Sequence, residues 1–151
     1  MLLHRSIRAL STGALVVLCA ATLKAQPAAD LATVTDAEIE RVAESVGSSD
    51  TERRVIKRRL GSWKELTASA KNRSFAEPEK LRLANDFMHE TPFYCDPVLW
   101  CMEDFWAKPV EFLANDGGDC EDFSIAKYFT LRALGIAEER LRIVYAVYQK
   151  P

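Results

Sequence analysis

One junction between a glycine turn and a helix restricts the fold of this chain more than any other feature. Gly117 and Gly118 permit a tight turn, and Asp119 after them is a favourable N-cap residue. The run that follows is apolar on more than one face and ends at Gly135, a typical C′ residue. The pattern predicts a helix that begins at Cys120, is buried on several sides and stops before Gly135.

The thiol at this junction is surrounded by negative charge. Cys120 lies in the first helical turn, where unpaired backbone N–H groups lower the pKa of a thiol. Asp119, Glu121 and Asp122 oppose that effect, because nearby carboxylates disfavour the thiolate. A divalent cation would resolve the conflict, since oxygen ligands crowded into one turn suit Ca²⁺ and its charge cancels the repulsion. From the residues alone, ordinary capping acids beside an inert buried cysteine are equally acceptable.

A longer pattern extends to both sides of the junction, from near Leu81 to the C-terminus. It comprises three segments and three single residues: Trp106–Leu113, Gly118–Tyr128, Leu141–Ile143, Tyr94, Asp96 and Trp100. These residues closely resemble the bacterial transglutaminase-like cysteine proteinases, the family of the LapG-like periplasmic proteases. The resemblance implies an α+β fold of the papain/transglutaminase-like type that hydrolyses peptide bonds, with Cys120 as the nucleophile. It also implies a calcium site, for which Asp119 and Glu121, and less directly Asp122, are the candidate ligands.

The resemblance also implies catalytic groups that this sequence does not provide. The family pairs its cysteine with a histidine on a later strand, and an aspartate further along orients that histidine; neither can be placed here. The alternating, β-rich segment Leu141–Tyr148 predicts the first strand of the sheet, and the sequence stops at Pro151. We therefore expect the N-terminal helical half of the fold with only the first sheet strand. Such a chain would be an inactive or partial form of the protease.

Two histidines are present, and neither matches the expected base. His4 lies in the N-terminal leader, whereas His89 lies near the end of a helix predicted from about Pro78. The predicted apolar side of that helix consists of Leu81, Ala84, Phe87 and Met88. Because His89 precedes Cys120 and stands alone on a helix, we expect it to be solvated rather than catalytic.

The N-terminus has the pattern of a secretory signal peptide over residues 1–25. Arg5 and Arg8 precede an apolar stretch at 14–23 that is short for a membrane helix, although an uncleaved anchor is the alternative. We expect a helical N-terminal region at 26–76 and the proteinase domain at 77–151. The signal peptide implies periplasmic or secreted localisation. The resemblance implies a surface or adhesin-type protein as substrate and an inner-membrane receptor as a regulatory partner.

Charge makes nucleic acid an unsuitable partner for the exported chain. Without residues 1–25 the sequence has 17 basic and 22 acidic residues, whereas phosphate binding needs a positive surface. A basic run at 53–59 lies on a helix predicted at Thr51–Ala70. A solvated helix face explains it by default, and docking to an acidic partner is the alternative.

The remaining patterns describe scaffold. Short helices are predicted at Asp36–Val46 and Pro109–Leu113. Trp100 and Trp106 are expected to belong to the core, and an aromatic wall that binds peptide is the alternative. Cys95 and Cys101 could form a disulfide around Pro97 or could both be small buried side chains, and their spacing leaves both open. No Cys-x-x-Cys pair is present, so zinc and thioredoxin-like chemistry have no support. The alternative function is a non-catalytic calcium-binding and protein-interaction module on the same scaffold.

Overall fold

A computed structural model describes residues 33–146, apart from the side chains of residues 71 and 72. This part of the chain folds into six α-helices and a final 3-10 turn: α1 (Asp36–Val46), α2 (Asp50–Asn72), α3 (Glu77–His89), α4 (Asp96–Leu99), α5 (Pro109–Ala114), α6 (Cys120–Ala133) and the turn Glu138–Arg140. The described fold is therefore mostly helical. The predicted signal peptide at 1–25 lies outside the described residues. None of the helices within 33–146 combines the length and apolar content needed to cross a membrane.

The first two helices begin at reciprocal capping boxes. The Glu38 N–H donates to the Thr35 hydroxyl, and the Glu38 carboxylate accepts from the Thr35 N–H at 2.9 Å. Ser49 and Glu52 repeat this arrangement at the start of α2. Each box satisfies N–H groups that have no partner inside the helix. Gly47 ends α1, as the sequence predicts.

Helix α2 supplies the centre of the core. Its Leu60 and Trp63 are fully buried in one apolar cluster with Phe112 and Leu113 of α5. The Trp63 indole N–H also donates to the Thr130 hydroxyl of α6 at 2.8 Å, within the protein interior. A buried hydrogen bond of this kind fixes position as well as contributing stability. The N-terminal helices and α6 thus share one core.

Helix α6 begins and ends where the sequence predicts. It starts at Cys120 with Asp119 at the N-cap position, and Gly135 beyond its end adopts a left-handed conformation with φ 81°. One detail differs, because the Asp119 side chain makes no capping hydrogen bond. Burial is also uneven: Ala126 and Thr130 are fully buried, whereas most of the other apolar side chains of α6 are half-buried.

The predicted strand at Leu141–Tyr148 is not formed in the described part of that segment. Residues 141–146 have no regular secondary structure, and residues 147 and 148 lie outside the described residues. Ile143, Val144 and Tyr145 are exposed, with Val144 at 79%. A β-strand needs a neighbouring strand to satisfy its backbone groups, and residues 33–146 offer none. The sequence pattern alone was therefore an insufficient guide here.

Four predictions about single side chains are also wrong. The core covers α3 from its centre onward and leaves Leu81 44% exposed. Trp100 is buried as expected, but Trp106 is 52% exposed and donates its indole N–H to the surface carboxylate Asp104. Cys95 and Cys101 are both exposed free thiols, so they form neither a disulfide nor a pair of buried side chains.

Candidate active site and metal-binding cluster

Two glycines bring Cys120 to its position at the start of α6. The Tyr94 N–H donates to the Gly118 carbonyl at 2.9 Å, within a parallel bridge between the two segments. A Cβ at Gly117 would lie 2.3 Å from the Tyr94 ring, and one at Gly118 would lie 2.4 Å from a carboxylate oxygen of Asp122. The turn therefore has no room for side chains at either position, which explains the glycine pair in the sequence.

The Cys120 thiol is exposed and donates a hydrogen bond to Glu121 Oε2 over 3.0 Å. This bond, followed by partial burial and the charges of Glu121 and Asp119, raises the pKa of the thiol above its ordinary value. A thiol is a weaker nucleophile than a thiolate. The cysteine thus lies at a position that favours reactivity, but the surrounding charges hold it in its less reactive form.

Five carboxylates form what we call the acidic cluster: Asp96, Asp104, Asp119, Glu121 and Asp122. Their oxygens fall into overlapping groups of three within 4.8 Å of one another, and one group joins Asp96, Asp119 and Asp122. A second group joins Asp96, Asp104 and Glu121, and a third includes the Cys120 sulfur. Of the three carboxylates predicted from the sequence, Asp119 therefore shares one group with Glu121 and another with Asp122, whereas Glu121 and Asp122 share none.

Sequence reasoning missed two members of the acidic cluster as ligands. Asp96 belongs to the resembling residues and precedes Pro97 at the start of α4, which was a usable signal. Asp104 lies in a loop and is exposed, and nothing in its neighbourhood distinguished it from other surface acids.

The interior of the cluster contains carboxylate oxygens without hydrogen-bond partners. Asp96 is 2% exposed and Asp122 is fully buried. Each accepts one backbone N–H, Asp96 from Phe105 and Asp122 from Ala107 at 2.7 Å. Their remaining oxygens, Asp96 Oδ1 and Asp122 Oδ2, are buried without a partner, and so is Asp119 Oδ1.

Among the described side chains, no positively charged group pairs with these oxygens. The ion pairs formed within residues 33–146 involve no member of the acidic cluster. Buried carboxylates without a cation or full hydrogen bonding are costly. Carboxylates that lie within one group and keep unpartnered hard oxygen atoms suit Ca²⁺, and the residues present fit such an ion.

The electrostatics of the cluster agree with this fit. Burial is the main cause that raises the pKa of Asp119 to about 7, followed by its contact with Glu121 and the charges of the other carboxylates. Burial also raises the pKa of Asp122, against the lowering effect of the Ala107 N–H. The pKa of Glu121 is lowered, chiefly because it accepts the Cys120 hydrogen bond. The site therefore accommodates its negative charges poorly without a cation.

The described part of the chain contains one histidine, His89. It is the last residue of α3, is exposed, and shares no ligand group with Cys120. This agrees with its prediction as a solvated residue. Among residues 33–146, the Cys120 thiol consequently has no histidine hydrogen-bonded to it.

The structure thus places the cysteine of the sequence pattern at a helix N-terminus, close to buried carboxylates with unpartnered oxygens. Comparison with solved structures points to the class of transglutaminase-like proteases, because this chain is similar to LapG of Legionella pneumophila. The calcium-bound form of LapG is 33% identical to this chain and has a TM-score of 0.52; the match covers 71% of this chain and 55% of LapG. A second LapG structure and an EGTA-treated one are each 30% identical, with TM-scores of 0.51.

The predicted resemblance is thereby confirmed: this chain is LapG-like, consistent with the transglutaminase-like protease family. The two further matches each cover 72% of this chain and 55% and 54% of LapG, respectively. The chain thus spans about half the length of the LapG structures that it matches. No model of a protein family and no curated protein matches it.

Proposed function

We propose that this chain carries the nucleophile and the calcium site of a calcium-dependent cysteine protease that acts in the periplasm or outside the cell. The observation that carries the proposal is the position of Cys120 at the start of α6, where its sulfur is grouped with Asp119 and Glu121. Asp119 is in turn grouped with the buried Asp96 and Asp122, and each of these three aspartates keeps one unpartnered oxygen. We further propose a surface or adhesin-type protein as the substrate, and regulation by an inner-membrane receptor.

Asp96, Asp119 and Asp122 would hold the calcium ion, with Glu121 on the side of the cysteine. Their unpartnered oxygens support this set, and calcium-bound LapG is a structural relative. When bound, calcium supplies positive charge that offsets the carboxylates and favours the thiolate. Binding and thiol reactivity would then be coupled.

In the proposed reaction, the sulfur of Cys120 attacks the carbonyl carbon of the scissile peptide bond. A base outside residues 33–146 takes the thiol proton and returns it to the leaving amine. Backbone N–H groups in the first turn of α6 stabilise the oxyanion, because they lack intrahelical partners. The exposed segment 141–146 would become the first strand of the papain-like α+β sheet once a partner strand pairs with it.

Calcium-dependent alkylation of Cys120 tests the core of this proposal. Because Cys95 and Cys101 are also exposed thiols, both are first replaced by serine. Iodoacetamide labelling of Cys120 is then followed by mass spectrometry during a calcium titration. We expect calcium to accelerate labelling, and Asp96→Asn to raise the calcium midpoint by about tenfold or more through loss of a charged ligand.

The matched control is Asp86→Asn, which removes an exposed aspartate of α3 that belongs to no ligand group. It should leave the midpoint unchanged. Labelling that ignores calcium, or equal midpoints in the two variants, would contradict the proposed coupling.

A non-catalytic calcium-binding module is the second candidate. The raised pKa of the thiol favours it, as does the lack of a histidine near Cys120 in the described part of the chain. This candidate predicts that calcium binds without accelerating alkylation. The same titration, with calcium binding measured separately by calorimetry, distinguishes the two functions.

A further inference from the structure

The turn between α5 and α6 has a left-handed residue that is not glycine. Asp116 has φ 54° at the C′ position of α5, and the Gly117 N–H reaches back to the Phe112 carbonyl at 3.3 Å. This six-to-one bond is characteristic of a Schellman turn, in which glycine usually occupies C′. Aspartate tolerates the left-handed region better than most residues but still at an energetic cost. Something must therefore stabilise Asp116 in this conformation.

Arg59 makes both of the contacts that stabilise it. From the middle of α2, its Nη1 donates to the Leu113 carbonyl at 2.9 Å and its Nη2 pairs with Asp116 Oδ1 at 2.7 Å. The first contact satisfies a carbonyl in the last turn of α5, and the second holds the carboxylate of the left-handed residue. The planar guanidinium can make both contacts at once because its donors form a rigid fork.

The base of this fork is well anchored. The Arg59 side chain is only 20% exposed, and its neighbour Leu60 is fully buried in the core. The neighbouring Arg58 offers a contrast, since it is exposed and forms no ion pair or hydrogen bond with a described residue. Arg59 thus connects the core-facing helix α2 to the turn by direct contacts, whereas Arg58 does not.

A backbone displacement in this turn would also move Cys120. Three residues separate Asp116 from Cys120, and the two glycines among them are packed with no spare space against Tyr94 and Asp122. A change in the backbone at Asp116 would therefore shift Asp122 and the start of α6 together.

We propose that Arg59 is a positioning residue for the nucleophile and its calcium cluster, acting through the left-handed backbone of Asp116. The inference rests on the proposed function of Cys120. Arg59 touches neither the thiol nor the carboxylates of the cluster. Its role is to select the turn that brings them together.

Arg59→Ala tests this role, with Arg58→Ala as the matched control for loss of one positive charge from α2. Two readouts are taken at a temperature where circular dichroism shows both proteins folded. The first is amide hydrogen exchange of the peptide covering residues 112–119, and the second is calcium-dependent labelling of Cys120. Loss of a charge-assisted hydrogen bond predicts about tenfold or greater acceleration of exchange in Arg59→Ala and a raised calcium midpoint for labelling. Arg58→Ala should match the parent protein in both.

A rescue variant distinguishes positioning of the turn from a general contribution of Arg59 to the stability of the fold. Glycine adopts the left-handed region without cost, so Asp116→Gly added to Arg59→Ala should restore slow exchange and the original midpoint. If Arg59→Ala does not fold, Arg59→Lys replaces it. A single ammonium group mimics the fork poorly, so intermediate effects are expected.

Two results would overturn the inference: an Arg59 variant that behaves like Arg58→Ala in hydrogen exchange, or a double variant no better than the single one. Hydrogen exchange needs neither calcium nor thiol chemistry. Labelling of the parent protein that ignores calcium would refute the proposed function, while the exchange data would still decide whether Arg59 holds the turn.

Discussion

Replacing Gly118 with alanine would drive a methyl group into the packed start of α6. The added Cβ would lie 2.4 Å from Asp122 Oδ2, 2.6 Å from Asp122 Cβ and 2.8 Å from Phe112 Cδ2. Asp122 and Phe112 are both fully buried, so neither side chain can move aside into solvent. Overpacking at a buried position costs about 1–3 kcal/mol. Because two rigid neighbours are involved, we expect the free energy of unfolding to fall by about 2 kcal/mol or more.

Gly61→Ala in α2 is the matched control for the same chemical change. A Cβ there meets no heavy atom within 4 Å, and alanine is favoured over glycine inside a helix by about 0.5–1 kcal/mol. The two variants should therefore shift stability in opposite directions. Urea denaturation followed by far-ultraviolet circular dichroism measures both free energies. A Gly118→Ala protein within about 0.5 kcal/mol of the parent would refute the reasoning, because it would mean that the turn relaxes freely.

Two further predictions concern the core and the first helix. Thr130→Val removes the acceptor of the buried Trp63 indole and should cost about 1–3 kcal/mol in urea denaturation; Thr67→Val, whose hydroxyl bonds only to carbonyls of its own helix, should cost less, and equal costs would contradict the claim. The Thr35 N–H holds the pKa of Glu38 below its ordinary value. The ionised carboxylate therefore stabilises the fold fully at any pH above the ordinary pKa of glutamate. This stability is lost as pH falls through the lowered pKa; Glu38→Gln should therefore flatten the fall in melting temperature between neutral pH and about pH 3, and an unchanged profile would contradict it.

Local chemistry made the helix boundaries predictable. Gly47 and Gly135 end helices where the sequence indicates, and the helix that begins at Cys120 follows from the glycine turn and the acids after it. Such capping signals involve only a few neighbouring residues, so they can be recognised without knowledge of distant contacts. The same reasoning placed Asp119 at the N-cap position, where its side chain makes no capping hydrogen bond and its carboxylate belongs to the acidic cluster.

Features that depend on distant neighbours were predicted less well. Trp106 is an aromatic residue of the kind usually found in a core, yet the apolar cluster includes Trp100 and leaves Trp106 exposed. The alternating segment 141–146 has strand propensity, but propensity does not supply the partner that a strand requires. Asp96 could be recognised as part of the resemblance but not as a candidate ligand, since only the folded chain brings the start of α4 close to Asp122 in the first turn of α6.

The acidic cluster connects these points, because its members come from separate elements and have no cation among the described side chains. Asp96 enters with α4, Asp122 with α6, and both are held by backbone N–H groups that satisfy only one oxygen each. A stable interior would ordinarily pair or exclude such charges. Here the fold instead groups three aspartates that each keep one unpartnered oxygen, and one of them, Asp119, is also grouped with the thiol. That arrangement is unfavourable for an unliganded protein and favourable for one that binds calcium. The same carboxylates that suppress the reactivity of Cys120 are thus the groups through which a bound cation would restore it.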